Sequence, residues 1–159
     1  MRRRERFLRI AIGTDHGGYP LKGNLIRQLK DGGHRVLDAG TFSSRPCDYP
    51  AIGAKVAKAV SQGKVERGIL LCKSGAGMGI VANKFPGVRA VVVQTMDAAK
   101  HSREHNDANI LVLGANHVTG EKAKRILRVW LSTSFGAGRH ARRLRQIERI
   151  EKGMRCSSI

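Results

Sequence analysis

Short apolar runs alternate along the chain with longer stretches whose apolar residues recur every three to four positions. The runs at 8–13, 35–39, 69–71, 88–93 and 110–113 read as strands, most of them apolar enough to be buried on both faces. Between the first two, Pro20 opens a stretch in which Leu21, Leu25, Ile26 and Leu29 share one helix face, and Gly32-Gly33 ends it. Ile52, Val56, Ala59 and Val60 predict a second helix, closed by Gly63, after a turn-rich loop at 40–50. Residues 80–84 read as a helix start, and 97–106 as a polar helix carrying His101 and His105. Thr119 caps a helix running through Ile126, Leu127, Trp130 and Leu131. Gly136-Ala137-Gly138 breaks it, a last basic helix follows from Arg139 to about Lys152, and 153–159 are expected to fray. Strand and helix alternate throughout. That pattern predicts an α/β single domain over 1–159: a five-stranded parallel sheet with helices on both faces and right-handed crossovers.

The segment 68–84, GILLCKSGAGMGIVANK, draws the pattern together. A buried strand ends in Cys72, and Lys73, Ser74 and glycines at 75, 77 and 79 follow before the next helix. A glycine-rich strand-to-helix turn lets backbone N–H groups face one point, where an anion can sit. The Lys-Ser pair precedes the glycines, so this is neither a Walker A loop nor GxGxxG. A tight turn that merely needs small residues is the plain alternative. Cys72 favours the chemical one, because open α/β sheets bind ligands at the carboxyl ends of their strands.

Composition narrows the class. The chain has 159 residues, 41% of them hydrophobic, enough for one domain with a proper core, and with 4% aromatics that core is aliphatic. No apolar run approaches the ~18 residues of a membrane span, and the start lacks the apolar stretch of a secretory signal. Three cysteines, Cys47, Cys72 and Cys156, show neither disulfide nor zinc spacing, which points to a reducing cytoplasm. Residues 1–9 hold five Arg and one Glu, residues 139–155 hold seven Lys or Arg and two Glu, and these ends supply half of the net +18. A basic arm at 1–8 and a basic helix and tail at 139–159 favour anionic partners such as phosphorylated metabolites or nucleic acid. A merely solvated basic surface explains the charge equally well.

Strand ends of a parallel sheet meet on one rim. Asp15 and His16 follow the first strand, Tyr49 follows the second after a loop, and Cys72 and Ser74 follow the third. Each has an ordinary alternative: Asp15 as a helix cap, His16 as a surface turn residue, Tyr49 as a core aromatic, Cys72 as an inert buried thiol. His105-Asn106-Asp107 can be a helix end, and Arg139 and Arg143, four apart on one face, a solvated stripe. Together they supply a base, hydrogen-bonding groups and phosphate binders for a small anionic substrate.

At these residues the chain resembles the type B ribose-5-phosphate isomerase family, shared with sugar-phosphate isomerases of galactose and allose metabolism. Five motifs in one order carry the resemblance over roughly 10–150: GTDHGGYPLK, the GT-SS-DYP spacing at 40–50, CKSGAGMGIVANK, SREHNDANILVLG and GRHARRL. It implies a Rossmann-like three-layer α/β/α sandwich, a homodimer or homotetramer whose sites are shared between subunits, and no metal or other cofactor. Cys72 would be the base that moves a proton between C1 and C2 of the open sugar. Ser74 and the amides of Gly75, Gly77 and Gly79 would hold the enediolate oxygen. His105, with Asn106, would come from the partner and help open the ring. Asp15 would assist, Tyr49 would line the pocket, and His16, Arg139 and Arg143 would hold the phosphate. Some members use a glutamate further along the glycine loop as base; Met78 stands there in this chain. Lys73 replaces a glycine that most relatives carry, and Asn116 an arginine common after the fifth strand. The other readings are an isomerase of a six-carbon sugar phosphate (allose 6-phosphate or galactose 6-phosphate), or a nucleic-acid-binding protein on the same scaffold. The last has no recognised motif and few aromatics for base stacking.

Overall fold

The computed structural model describes residues 7–156. Most of the basic arm at 1–8, and 157–159 of the tail, lie outside the described residues. Five strands form one sheet: β1 (Arg9–Thr14), β2 (Arg35–Asp38), β3 (Arg67–Cys72), β4 (Ala90–Val92) and β5 (Ile110–Gly114). All neighbours pair in parallel, in the order β2-β1-β3-β5-β4. The helices are α1 (Tyr19–Asp31), α2 (Tyr49–Ser61), α3 (Ala76–Ala82), α4 (Met96–Glu104), α5 (Gly120–Ser132) and α6 (Gly138–Cys156).

Each strand splits its side chains between two faces. From β3, Ile69 and Leu71 join Leu25, Leu29, Ile126, Leu127 and Trp130 beneath α1 and α5. Leu70 and Cys72 point the other way, to Ile52, Val56 and Met78 of α2 and α3. Both clusters are closed, which is why the strands read as continuous apolar runs. The sulfur of Cys72 therefore lies on the α2–α3 side.

Several boundaries differ from expectation. Tyr49 opens α2 rather than sitting in the preceding loop, because Pro50 fits the first helical turn. α3 begins at Ala76, since the small residues 76–79 tolerate helix once Gly75 supplies the turn. β4 is only three residues long; Val88 and Arg89 instead hold the approach to it, bonded to Phe85 and Asn109. α6 runs to Cys156, so 153–156 are helical rather than frayed.

Arg9 at the start of β1 clasps Glu66, just before β3, through Nε and Nη2 at 2.9 and 2.6 Å, while its backbone N–H donates to the other carboxylate oxygen. These bonds hold the Glu66 carboxyl down to about 2, from an ordinary 4.5. A lowered carboxylate stabilises the fold above its unfolded value and ceases to do so as pH falls through its folded one. Glu66→Gln is therefore expected to lower urea stability at pH 7 and to matter much less at pH 2. Equal effects at both pH values would mean that the pair is not the cause.

Candidate active site

The order of the strands reverses at β1 and β3: the chain leaves β1 for β2 on one side and returns to β3 on the other. Ligands of open parallel sheets bind outside the carboxyl ends of strands at such a point. Four expected residues meet there. Asp15 directly follows β1, is 6% exposed, and accepts hydrogen bonds from the amides of Gly17 and Gly18 at 2.9 and 3.2 Å. Its carboxylate thus shapes the turn into α1 without capping it, since the N-cap is Gly18. His16 points to the loop after β2, with Nδ1 3.2 Å from the amide of Cys47 and 3.3 Å from its carbonyl. The amide must donate, so Nδ1 is best read as an acceptor, leaving Nε2 to carry a proton. Tyr49 comes from the start of α2, 38% exposed.

Cys72 ends β3 and is 5% exposed. Its sulfur accepts the backbone N–H of Gly75 at 3.1 Å. That geometry needs Gly75 at φ 86°, in the left-handed region that glycine enters without strain. The bond holds the sulfur against the first turn of the glycine loop. Ser74 is exposed beside it, and its Oγ accepts from the Ala76 amide at 3.3 Å. The loop is pinned from behind: the carbonyls of Cys72 and Lys73 accept from the amides of Ala115 and Asn116 at 2.8 and 2.9 Å. Tyr49 covers it from the side, and a Cβ on Gly77 would fall 2.5 Å from the ring carbon Cζ and 2.9 Å from the hydroxyl.

The glycine amides divide their labour. Gly75 donates to the sulfur, and Gly79 donates to the Gly75 carbonyl at 3.0 Å as part of the helix. The expected use of Gly79 as an oxygen-holding donor is therefore corrected: its N–H is already committed. The first-turn amides of Gly77 and Met78 have no carbonyl within the helix to bind. The Met78 side chain is fully buried.

His105, Asn106, Arg139 and Arg143 lie elsewhere. α4 descends from the carboxyl end of β4, so its last turn reaches the amino-terminal rim of the sheet. Arg89, one residue before β4, donates through Nε to the carbonyl of Asn106 at 3.1 Å. Gly136 donates to the Glu104 carbonyl at 2.8 Å, which brings the start of α6 to the same rim. There His105 stacks between His101 and His140, with centroids 4.9 and 4.3 Å away and both pairs 11° from parallel. The His140 imidazolium is disfavoured, first by desolvation and then by His105 and the guanidinium groups of Arg139 and Arg143. One strand length, roughly 15–20 Å, separates this cluster from Cys72 within a chain. The expected site residues thus fall into two groups on opposite rims of the sheet.

Sequence reasoning passed over what holds the second group in place. Asp107 adopts φ 44° and binds both Arg103 (2.6 Å) and Arg89 (3.1 Å). Arg103 is buried, reaches the Ala108 carbonyl at 2.7 Å, and lies over the Trp130 ring. Desolvation, aided by Arg103 and Arg89, lowers neighbouring Arg67 to about 10. The Asn-Asp pair after a polar helix was the available signal, because these residues tolerate left-handed turns. Lys22 was also missed: buried in α1, it binds both oxygens of Asp38 at 2.8 Å and the Thr41 carbonyl at 2.5 Å.

Two cavities flank the outer side of α3. One of about 500 Å³ is lined by Ala76, Ile80 and Val92, and one of about 590 Å³ lies between residues 83–89 and α6. Neither opens on Cys72. Lys73, Ser74 and Tyr49, around the buried Cys72, are exposed. No group of three or more His, Cys, Asp or Glu suited to a metal occurs among the described residues. No described helix is long and apolar enough to cross a membrane.

A doubly wound parallel sheet with a thiol and a glycine loop at its switch point places the chain among the open α/β proteins, whose ligands bind at that point. The chain belongs to the ribose/galactose isomerase family, whose sequence profile matches residues 10–147. It is 44% identical to ribose-5-phosphate isomerase B of Escherichia coli K12 over 91% of this chain and 97% of that one. It is 38% identical to D-erythrulose-4-phosphate isomerase of Pectobacterium atrosepticum, over 88% and 93%. Among solved structures, ribose-5-phosphate isomerase B of Clostridium thermocellum superposes with a TM-score of 0.90 at 48% identity, covering 92% and 99%. The Rossmann-like three-layer sandwich expected from the sequence is the fold observed.

Proposed function

We propose that the protein interconverts ribose 5-phosphate and ribulose 5-phosphate through an enediolate, with Cys72 as base. The thiolate takes the C2 proton of the open-chain aldose, and the electron pair forms the C1–C2 double bond as the carbonyl pair moves onto O1; the hydroxyl proton then passes from O2 to O1, and the same sulfur returns its proton to C1 as the C2 carbonyl forms. Ser74 and the first-turn amides around Gly77 hold the developing oxyanion; such donors are worth about 3 kcal/mol each in transition-state stabilisation. The Gly75 amide serves the sulfur instead. Asp15 assists at the turn beside it, and Tyr49 walls the pocket.

The remaining groups come from a second copy of the chain. His105 moves the proton needed to open the furanose ring, and Asn106 binds the sugar beside it. Arg139 and Arg143 grip the phosphate with His16, since guanidinium forks match phosphate oxygens. A homodimer, alone or paired into a tetramer, joins the two rims. The observation that carries this reading is the Gly75 N–H on the Cys72 sulfur at 3.1 Å, inside the glycine loop at the switch point.

The identity to a four-carbon sugar-phosphate isomerase makes chain length the second question. The test is kcat/KM for ribose 5-phosphate, allose 6-phosphate, galactose 6-phosphate and erythrulose 4-phosphate on the purified protein without added metal. The five-carbon substrate is expected to lead by at least ~10-fold, the scale of a misplaced carbon in a pocket. A lead by another sugar overturns the substrate, and no turnover of any overturns the activity.

A further inference from the structure

The geometry points to Lys73 as a further phosphate-binding residue, an inference that rests on the sugar-phosphate reading above. Lys73 follows Cys72 directly, and the Asn116 amide fixes its carbonyl at 2.9 Å, so the root of the side chain is immobile. The start of the stem packs against the turn after β1. It lies across Gly17: a Cβ built there would overlap Lys73 Cγ and would come within 3.2 Å of both the Lys73 amide and Asp15 Oδ1. Gly17 is the notch that lets this stem cross from the end of β3 to the turn after β1, where His16 stands.

The side chain thus leaves the end of β3 beside the turn that carries Asp15 and His16. The side chain is exposed and forms no ion pair with any described residue. Asp15, on that turn, is already bonded to two amides through Oδ1. A long cation rooted beside this turn, with no ion pair among the described residues, suits an anion brought in from outside. A phosphate dianion suits it best, because a charge-assisted bond to the ammonium gains most from a full charge. Lys73 would close on the phosphate from the β3 side, opposite the arginines of the second copy.

Lys73→Met keeps the stem over Gly17 and removes only the charge. Isothermal titration with inorganic phosphate is expected to show a Kd about 10-fold weaker than for the parent protein, a usual loss for one charge-assisted bond. Lys73→Arg should restore most of the affinity. In turnover, Lys73→Met should raise KM for ribose 5-phosphate by a similar factor with kcat within about two-fold, the pattern of a binding group lost equally from ground and transition states. An unchanged phosphate Kd in Lys73→Met, or a fall in kcat with KM untouched, overturns the assignment. The titration needs no turnover, so it decides on Lys73 even if no sugar is isomerised and the activity itself is wrong.

Discussion

Cys72→Ala is expected to leave the fold in place and reduce isomerisation by about 10³-fold or more, within the range a positioned proton-transfer group contributes. Far-UV circular dichroism and urea unfolding check the first half, and kcat on ribose 5-phosphate the second. The stability cost is small. The change leaves a cavity of one sulfur between Leu70 and Met78 and orphans the Gly75 N–H, together about 1–3 kcal/mol. Cys72→Ser separates the two roles: its hydroxyl can accept the same N–H, so the loop stays closed, but it ionises far too weakly to act as base. Serine should therefore restore stability and leave activity low. Turnover within a few-fold of the parent in either variant would remove Cys72 from the mechanism.

Mixing two inactive variants tests the other half of the site. His105→Asn lacks the ring-opening group and Cys72→Ala the base, and each should be inactive as a pure protein. If every site takes Cys72 from one chain and His105 from another, a mixed dimer regains one intact site of two. Unfolding and refolding an equal mixture yields half mixed dimers, so about a quarter of parental activity should return, by the arithmetic of two-fold symmetric sites. No recovery, with mixed dimers demonstrated by mass, would place both groups of one site in the same chain and contradict the separation of the two rims. The stacked column around His105 makes asparagine the better choice than a larger residue, because it leaves His101 and His140 room to remain in place.

The sequence made the architecture plain because both faces of the sheet are covered. Ile69, Leu70 and Leu71 can read as an uninterrupted apolar run only in a strand with a core on each side. The meeting of Asp15, His16, Tyr49 and Cys72 was legible for the same reason: parallel strands bring all their carboxyl ends to one rim. Hydrogen bonding within the glycine loop was not. Nothing in GAGMG says that the first glycine serves the sulfur and the third the helix; that follows from where Gly75 turns. The buried cations escaped because a lone Lys or Arg reads as surface. Lys22 does fall three and seven residues before Leu25 and Leu29, on the buried stripe of α1, and that spacing was the missed clue. Arg103 gave less warning, since its partner Asp107 lies beyond the helix end.

The division of β3 between two cores has a consequence for how this enzyme can vary. Side chains of a strand change face at every step, so the placement of the thiol depends on counting as well as on chemistry. Adding or deleting one residue between Arg67 and Leu71 would turn the sulfur toward Trp130 and present an aliphatic group to the substrate. Residue types in that segment are free to drift among aliphatics of similar bulk; its length is not.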